Sequence, residues 1–213
     1  RSAYRVVRRA LTAPTEVAGE KWAVVIGISK YREAGLDLRY AHRDAQALHD
    51  VLVEQGGFSP QRVRLLTDEK ATQVEIRTAL LSFLGSAKPD DLVLIFLAGH
   101  GVQDSANPDN FFFLAHDSVR SNLGGTALPM WDLKNVMDNV IRAQRIVVLA
   151  DTCHSGRVAD EAKNSATASF NFFNKYLEVQ ARKKGRLIAT ASQAHQTSIE
   201  RDDLSHGVFT DAL

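Results

Sequence analysis

The sequence has a single cysteine, Cys153, among its 213 residues. One cysteine cannot form an internal disulfide, so a disulfide-stapled fold is excluded and a reducing, cytoplasmic location is expected. The sequence also lacks Cys-x-x-Cys and His-Glu-x-x-His spacings, which argues against a structural or hydrolytic zinc site. A lone cysteine is most often an inert core residue, and the alternative is a thiol that reacts.

Long apolar runs and an excess of one charge are missing as well. No stretch approaches the roughly 20 apolar residues that a membrane-spanning helix needs, so no membrane association is expected. Lys and Arg number 26 against 25 Asp and Glu, a formal net charge of +1, and so direct nucleic-acid binding is not expected. Glycine-rich phosphate-binding loops are absent, which argues against a nucleotide-binding domain.

Short apolar segments rich in β-branched residues alternate with segments of helical periodicity. Strands are predicted at 22–29, 62–66, 91–98, 145–150 and 186–191, helices at 40–54, 72–84 and 129–140, and a small hairpin strand at 111–114. This alternation predicts an α/β domain with a central, mostly parallel sheet flanked by helices on both faces. The domain is expected over residues 21–213, truncated at its C-terminal end, with residues 1–20 as a linker or docking arm.

Two chemically suggestive clusters follow predicted strands. His100 comes directly after the strand at 91–98, and Cys153 follows the strand at 145–150. Ligands of parallel sheets bind at the carboxyl ends of the strands, so both clusters are expected at one edge. A cysteine attacks a carbonyl as thiolate and needs a neighbouring imidazole to take its proton. The sequence therefore predicts a catalytic pair of His100 and Cys153.

Other assignments for these residues remain open. His100 would alternatively be a loop histidine that bonds a backbone carbonyl, and His154 is less suited as a base because neighbouring side chains point in different directions. Glycines on both sides of His100 predict a flexible loop that lets the backbone approach a substrate. The backbone N–H groups of Gly101 and Cys153 are the predicted donors to a developing oxyanion.

The motifs Ala98-Gly-His-Gly101 and Asp151-Thr-Cys-His-Ser-Gly156 resemble those of the caspase-like superfamily, most closely metacaspases and their bacterial, orthocaspase-type relatives. The resemblance implies a caspase-like fold and a cysteine endopeptidase that acts on protein or peptide substrates. It also implies control by self-cleavage, by a regulatory protein or by flanking domains. No cofactor is required on this reading, and calcium is an optional activator.

Metacaspases cut after Arg or Lys, which acidic groups in the substrate pocket bind. By resemblance, Asp151 and Asp44 are two such acids. The acid that usually precedes the Gln-Thr-Ser segment is replaced here, and Glu200 is the predicted substitute. A carboxylate binds guanidinium bidentately, so Arg is expected before Lys. The alternatives are a backbone-capping role for Asp151 and a solvated helix position for Asp44.

The polar segment 157–185 is long enough to be a functional or cleavable loop. Its candidate self-cleavage sites are the basic residues Arg157, Lys163, Lys175, Arg182, Lys183 and Lys184. A catalytically silent caspase-like module that binds other proteins is the alternative to an active protease.

Overall fold

The sheet of this protein is mixed and mostly parallel. The computed structural model describes residues 19–104, 106–107, 110–153 and 185–190, and of residues 152, 153, 189 and 190 the backbone alone. Within these residues the strands are β1 Lys21–Gly27, β2 Val63–Thr67, β3 Leu92–Gln103, β4 Phe111–Phe113, β5 Leu128–Pro129, β6 Arg145–Cys153 and β7 Arg186–Thr190. The parallel strands lie in the order β2-β1-β3-β6-β7, and β4 and β5 extend β3 in antiparallel fashion. The predicted sheet is confirmed.

Helices cover both faces of the sheet, as predicted. The described helices are α1 Ala41–Glu54, α2 Gln73–Thr78, α3 Leu123–Thr126 and α4 Met130–Asn135. Both α2 and α4 continue as π-helical turns, Ala79–Phe83 and Val136–Val140, and a 3₁₀ turn at Leu84–Ser86 ends the first of these. Further 3₁₀ turns lie at Pro60–Arg62, Asp68–Lys70 and Arg120–Asn122. None of the described helices is long and apolar enough to cross a membrane.

Alternate residues of the central strands pack against different helices. On one face, Val25 and Phe96 pack with α1, and on the other, Val24 and Ile95 pack with α2 and α4. All four of these strand side chains are fully buried. Burial on both faces explains why β1, β3 and β6 have continuous apolar runs instead of alternating polar and apolar residues.

A glycine at the carboxyl end of β1 brings α1 onto the sheet. A Cβ atom at Gly27 would collide with the carbonyl of Ala41 and the side chain of Ala45, in the first turns of α1. Only glycine allows the backbones to approach this closely. The start of α1, which includes Asp44, therefore lies directly against the carboxyl edge of the sheet.

Two strands run further than the sequence predicted. The prediction that β3 ends at Ala98 and gives way to a loop at His100 is wrong, because the strand continues to Gln103. Its last residues pair with β4, where Gly101 lies opposite Phe113. The strand predicted to end at Ala150 continues to Cys153 as β6. The linker at 1–20, apart from its last two residues, and nearly all of the 157–185 segment lie outside the described residues.

Candidate active site

The carboxyl ends of β3 and β6 bring the two sequence motifs together. In the parallel register of these strands, Asp151 pairs with Ala98 and the backbone of Cys153 pairs with that of His100. Paired residues on neighbouring strands lie about 5 Å apart. The two sequence-distant clusters are therefore adjacent, and both belong to strands instead of loops.

The imidazole of His100 is held by a backbone carbonyl. Its Nε2 atom lies 2.7 Å from the carbonyl oxygen of Leu36, and the residue is only 3% exposed. Because a carbonyl only accepts hydrogen bonds, Nε2 must carry a proton, and in the neutral ring Nδ1 then has the lone pair. The contact fixes both the tautomer and the orientation of the ring.

A tyrosine in the loop between β1 and α1, which also contains Leu36, binds the backbone of His100. The hydroxyl of Tyr31 accepts a hydrogen bond from the His100 N–H at 3.0 Å. The two rings lie beside each other, with centroids 5.1 Å apart and planes inclined by 36°. Sequence reasoning missed Tyr31 and Leu36. A backbone carbonyl has no side-chain signature, and the only signal for Tyr31 was an aromatic residue in a polar loop after β1.

Gly99 and Gly101, on either side of His100, provide space for packing instead of the predicted loop flexibility. A Cβ atom at Gly101 would overlap the ring of Phe111, and one at Gly99 would lie 2.9 Å from the Tyr31 hydroxyl and 3.1 Å from the Phe113 ring. The expectation that they make a loop flexible is wrong, since both residues lie within β3. Their missing side chains leave room for aromatic rings that pack around His100.

The N–H group of Gly101 points away from β4. Leu114 donates its N–H to the carbonyl of His100 at 2.9 Å, while Gly101 lies opposite Phe113. In an antiparallel pair, this pattern makes Gly101 and Phe113 a non-hydrogen-bonded pair. The Gly101 N–H is therefore directed to the opposite side of β3, the side on which β6 runs.

Two buried carboxyl groups lie next to this edge, Asp44 from α1 and Asp151 from β6; we call them the acidic pair. Asp44 is 2% exposed and Asp151 is 6% exposed, so the alternative of a solvated Asp44 is wrong. Among the described residues, Oδ1 of Asp151 has no hydrogen-bond partner, so this oxygen caps no described backbone donor.

The acidic pair is electrostatically unusual. Burial, and secondly the nearby Asp44 carboxyl, raise the pKa of Asp151 to about 7. On the same face, the neighbouring residues of β1 and β3 are Val25, Gly27 and Ala98, which have no charge. His100 is the next ionisable residue along β3, two positions after Ala98. The pair is a buried site of negative charge that a bound cation would complement.

Other predicted site residues are not described. Glu200 and His154 lie outside the described residues, and the described part of Cys153 is its backbone. In the part of the chain that the structure describes, no three His, Cys, Asp or Glu residues are grouped so that they could hold a metal ion. A calcium site therefore stays a prediction.

Residues 20–213 match the family model described as the caspase domain, peptidase family C14. The chain belongs to the caspase-domain family. The match covers nearly the whole chain and confirms the family that the two motifs predicted. This caspase-domain family is a family of cysteine peptidases.

Similarity to individual caspase-domain proteins agrees with this result. The chain is 32% identical over 148 residues to Metacaspase-4 and 31% identical over 151 residues to Metacaspase-7, both of Arabidopsis thaliana. The aligned parts cover 67% of this chain but only 35% and 36% of those proteins. The chain therefore spans little more than a third of the length of these relatives.

A solved structure shows the same fold. The crystal structure of protein GSU0716 from Geobacter sulfurreducens matches 90% of this chain and 79% of its own, with a TM-score of 0.61 and 21% sequence identity. The agreement supports the fold alone.

Proposed function

We propose that this domain is a cysteine endopeptidase that uses His100 and Cys153 as a catalytic dyad and cleaves proteins after a basic residue, Arg before Lys. The observation that carries the proposal is the pairing of His100 with Cys153 across β3 and β6. This register keeps the two backbones within the distance that hydrogen bonding between an imidazole and a thiol requires.

The proposed reaction begins with proton transfer from the Cys153 thiol to Nδ1 of His100. The thiolate attacks the carbonyl carbon of the scissile peptide. The N–H groups of Gly101 and Cys153 are the proposed donors to the resulting oxyanion, a role that requires substrate binding to release them from the β3–β6 ladder. The imidazolium then gives its proton to the leaving amine, which departs as the carbon–nitrogen bond breaks. Water hydrolyses the thioester that remains, with His100 as the base, and the free thiol is restored.

The Leu36 carbonyl supports both proton transfers. Its hydrogen bond to Nε2 persists when the ring is neutral and strengthens when the ring becomes positively charged. A carbonyl therefore takes the orienting position that a carboxylate occupies in other catalytic triads. The burial of His100 excludes water that would compete for this bond.

The acidic pair is the proposed binding site for the basic substrate side chain. Oδ1 of Asp151 is buried and has no hydrogen-bond partner among the described residues, and a bound cation would satisfy it. A planar guanidinium can bind two carboxylate oxygens at once, whereas an ammonium is a point charge, so Arg is preferred to Lys. Glu200 is the proposed third acid.

Control of the activity belongs to the same proposal. Self-cleavage in the 157–185 loop, a regulatory protein, flanking domains or calcium would convert an inactive form of the enzyme to the active one. The curated relatives are about three times as long as the matched region, which leaves room for such control elements in them.

A panel of fluorogenic peptides ending in Arg, Lys or Asp tests the proposal, with wild type, Cys153→Ala and His100→Ala assayed with and without calcium. We expect cleavage after Arg, weaker cleavage after Lys, and loss of activity by at least about a thousandfold in both variants. Equal rates in wild type and Cys153→Ala would support the catalytically silent module instead.

Mass spectrometry of the purified proteins tests self-cleavage separately. We expect cuts after basic residues of the 157–185 loop in the wild type and an intact chain in Cys153→Ala. An uncut wild-type chain under conditions where peptides are cleaved would contradict activation by self-cleavage.

A further inference from the structure

The end of β1 leaves the backbone N–H of His100 without an acceptor from that strand. The pairing of β1 with β3 ends where Gly27 lies opposite Ala98, and Ile28 donates one more hydrogen bond, at 2.9 Å, to the Ala98 carbonyl. Backbone groups on one side of a strand recur every second residue. The next N–H that faces this side is that of His100, beyond the end of β1.

The hydroxyl of Tyr31 acts as the hydrogen-bond acceptor that a neighbouring strand would otherwise provide. Its oxygen accepts the His100 N–H at 3.0 Å, and the residue is only 7% exposed. The hydroxyl also lies close to Gly99, where a side chain would displace it. A buried N–H group without a partner is costly, so this contact determines where the backbone of His100 lies.

The loop around Tyr31 is itself anchored at several points. Asp37 accepts the backbone N–H of Tyr31 at 3.1 Å and pairs with Lys30 at 2.7 Å. Arg32 donates its N–H to the His116 carbonyl at 2.9 Å. These contacts hold the loop in one arrangement, from which Tyr31 reaches the backbone of His100 and Leu36 reaches the ring.

We propose that Tyr31 is a positioning residue for the dyad: its hydroxyl fixes the main chain of His100 so that the imidazole stays within reach of the Cys153 thiol. The inference rests on the proposed protease function, because it concerns the same dyad. Two independent anchors, one on the backbone and one on Nε2, restrict both the position and the rotation of the base. A displacement of about 1 Å in such a group can lower a rate by about a hundredfold.

Tyr31→Phe is the decisive variant, because it keeps the buried ring and removes only the hydroxyl. Tyr40→Phe is the matched control: Tyr40 lies at the other end of the same loop, with its ring near Arg43. The first readout needs no substrate. Since Cys153 is the only cysteine of the chain, its alkylation rate with iodoacetamide, measured against pH, reports how well His100 stabilises the thiolate.

We expect the apparent thiol pKa to rise by about one unit in Tyr31→Phe, which lowers the alkylation rate near pH 6 by about tenfold. Tyr40→Phe should match wild type. In peptide cleavage, kcat should fall by about tenfold or more while KM changes little, because the contact concerns the base and not the substrate. Circular dichroism and thermal unfolding verify that the variants are folded at the assay temperature.

Coincident alkylation profiles and equal kcat values for wild type and Tyr31→Phe would overturn the inference. If Tyr31→Phe does not fold, Asp37→Ala replaces it, because Asp37 is at the surface and anchors the Tyr31 backbone. A smaller rise in thiol pKa in Asp37→Ala then supports positioning, and an unchanged profile contradicts it. A separate result would show that His100 and Cys153 do not form a dyad at all: His100→Ala would then have the same alkylation profile as wild type.

Discussion

Two aspartates are buried at opposite edges of the same sheet, and their environments differ. Asp91 comes just before β3 at the amino edge and is 3% exposed, and Asp151 lies on β6 at the carboxyl edge and is 6% exposed. Asp91 accepts hydrogen bonds from the N–H groups of Glu20 and Lys88 and from the Trp22 indole, at 2.7 to 3.0 Å. Oδ1 of Asp151 has no partner among the described residues.

The pKa values of the two carboxyl groups shift in opposite directions. Burial alone would raise the pKa of Asp91, but the hydrogen bonds from Lys88, Glu20 and Trp22 outweigh it, so the pKa is lowered. Burial and Asp44 raise the pKa of Asp151 to about 7. The two side chains have similarly low exposure but opposite pKa shifts, because Asp91 lies near the surface with three donors and Asp151 lies deeper beside Asp44. One carboxylate stabilises the fold, and the other is kept at a cost in stability that a binding site would explain.

The largest expected effect is on stability at the amino edge. Asp91→Ala leaves three partly buried donors without their acceptor. Because water partly reaches them, each costs about 1 kcal/mol, the low end of the range for a buried donor, and we expect a loss of about 3 kcal/mol. Urea unfolding at pH 7 measures it. Asp90→Ala, in the exposed neighbouring position, is the control and should change the free energy of unfolding by less than about 0.5 kcal/mol. Similar values for both variants would contradict a structural role for Asp91.

The second effect is on activity at the carboxyl edge. Asp151→Asn should lower kcat/KM for Arg peptides by about a hundredfold, because the substrate cation loses a buried charge partner. Asp91→Asn, assayed where it is folded, should leave kcat/KM near the wild-type value. An Asp151→Asn enzyme that cleaves Arg peptides at the wild-type rate would remove Asp151 from the proposed substrate site.

Much of this arrangement could be predicted from the sequence. Continuous apolar runs predicted β1, β3 and β6, because a strand that is buried on both faces has apolar residues at nearly every position. The rule that functional groups gather at the carboxyl ends of parallel strands brought His100 and Asp151 to the correct edge. Asp44 was predicted as a site residue from the resemblance to a family. Its burial was not predicted, because helix periodicity does not show that Gly27 lets α1 pack closely against β1.

The remaining features depend on tertiary contacts that local patterns do not encode. β3 was predicted to end at Ala98, where the apolar run ends, but pairing with β4 extends it past His100. The Leu36 carbonyl is a main-chain group and is independent of residue type. Tyr31 is important because β1 stops before β3 does, which becomes apparent only from the register of the two strands.

A third prediction concerns the stability cost at Asp151. A raised pKa means that the folded protein prefers the protonated acid, so the penalty is absent below about pH 4, grows as the pH rises, and is complete above about pH 7. The shift corresponds to at most about 4 kcal/mol. We expect Asp151→Asn to be more stable than wild type at pH 8 by roughly 1–3 kcal/mol, after allowance for water reaching the site. Urea midpoints at pH 8 and pH 4 measure this difference.

In that comparison the gain should vanish at pH 4, where wild type already carries a proton on Asp151. A variant less stable than wild type at pH 8 would mean that the ionised Asp151 has partners beyond the described residues. It would also remove the contrast with Asp91. Asp91→Asn should instead lower the free energy of unfolding at pH 8. A group with a lowered pKa contributes stability above its ordinary pKa, and this contribution is lost as the pH falls.

The smallest expected effect is a change in how activity depends on pH. Only the ionised form of Asp151 attracts a cationic side chain, so kcat/KM for Arg peptides should fall by about tenfold per unit as the pH drops below about 7. A catalytic base also makes a rate depend on pH, and the alkylation profile of Cys153 separates this contribution from that of Asp151, because it reports the dyad without a substrate. Asp151→Asn should lose the acidic limb of kcat/KM while its alkylation profile stays that of wild type. If the limb persists in this variant, another group causes it, and the raised pKa of Asp151 has no part in substrate binding.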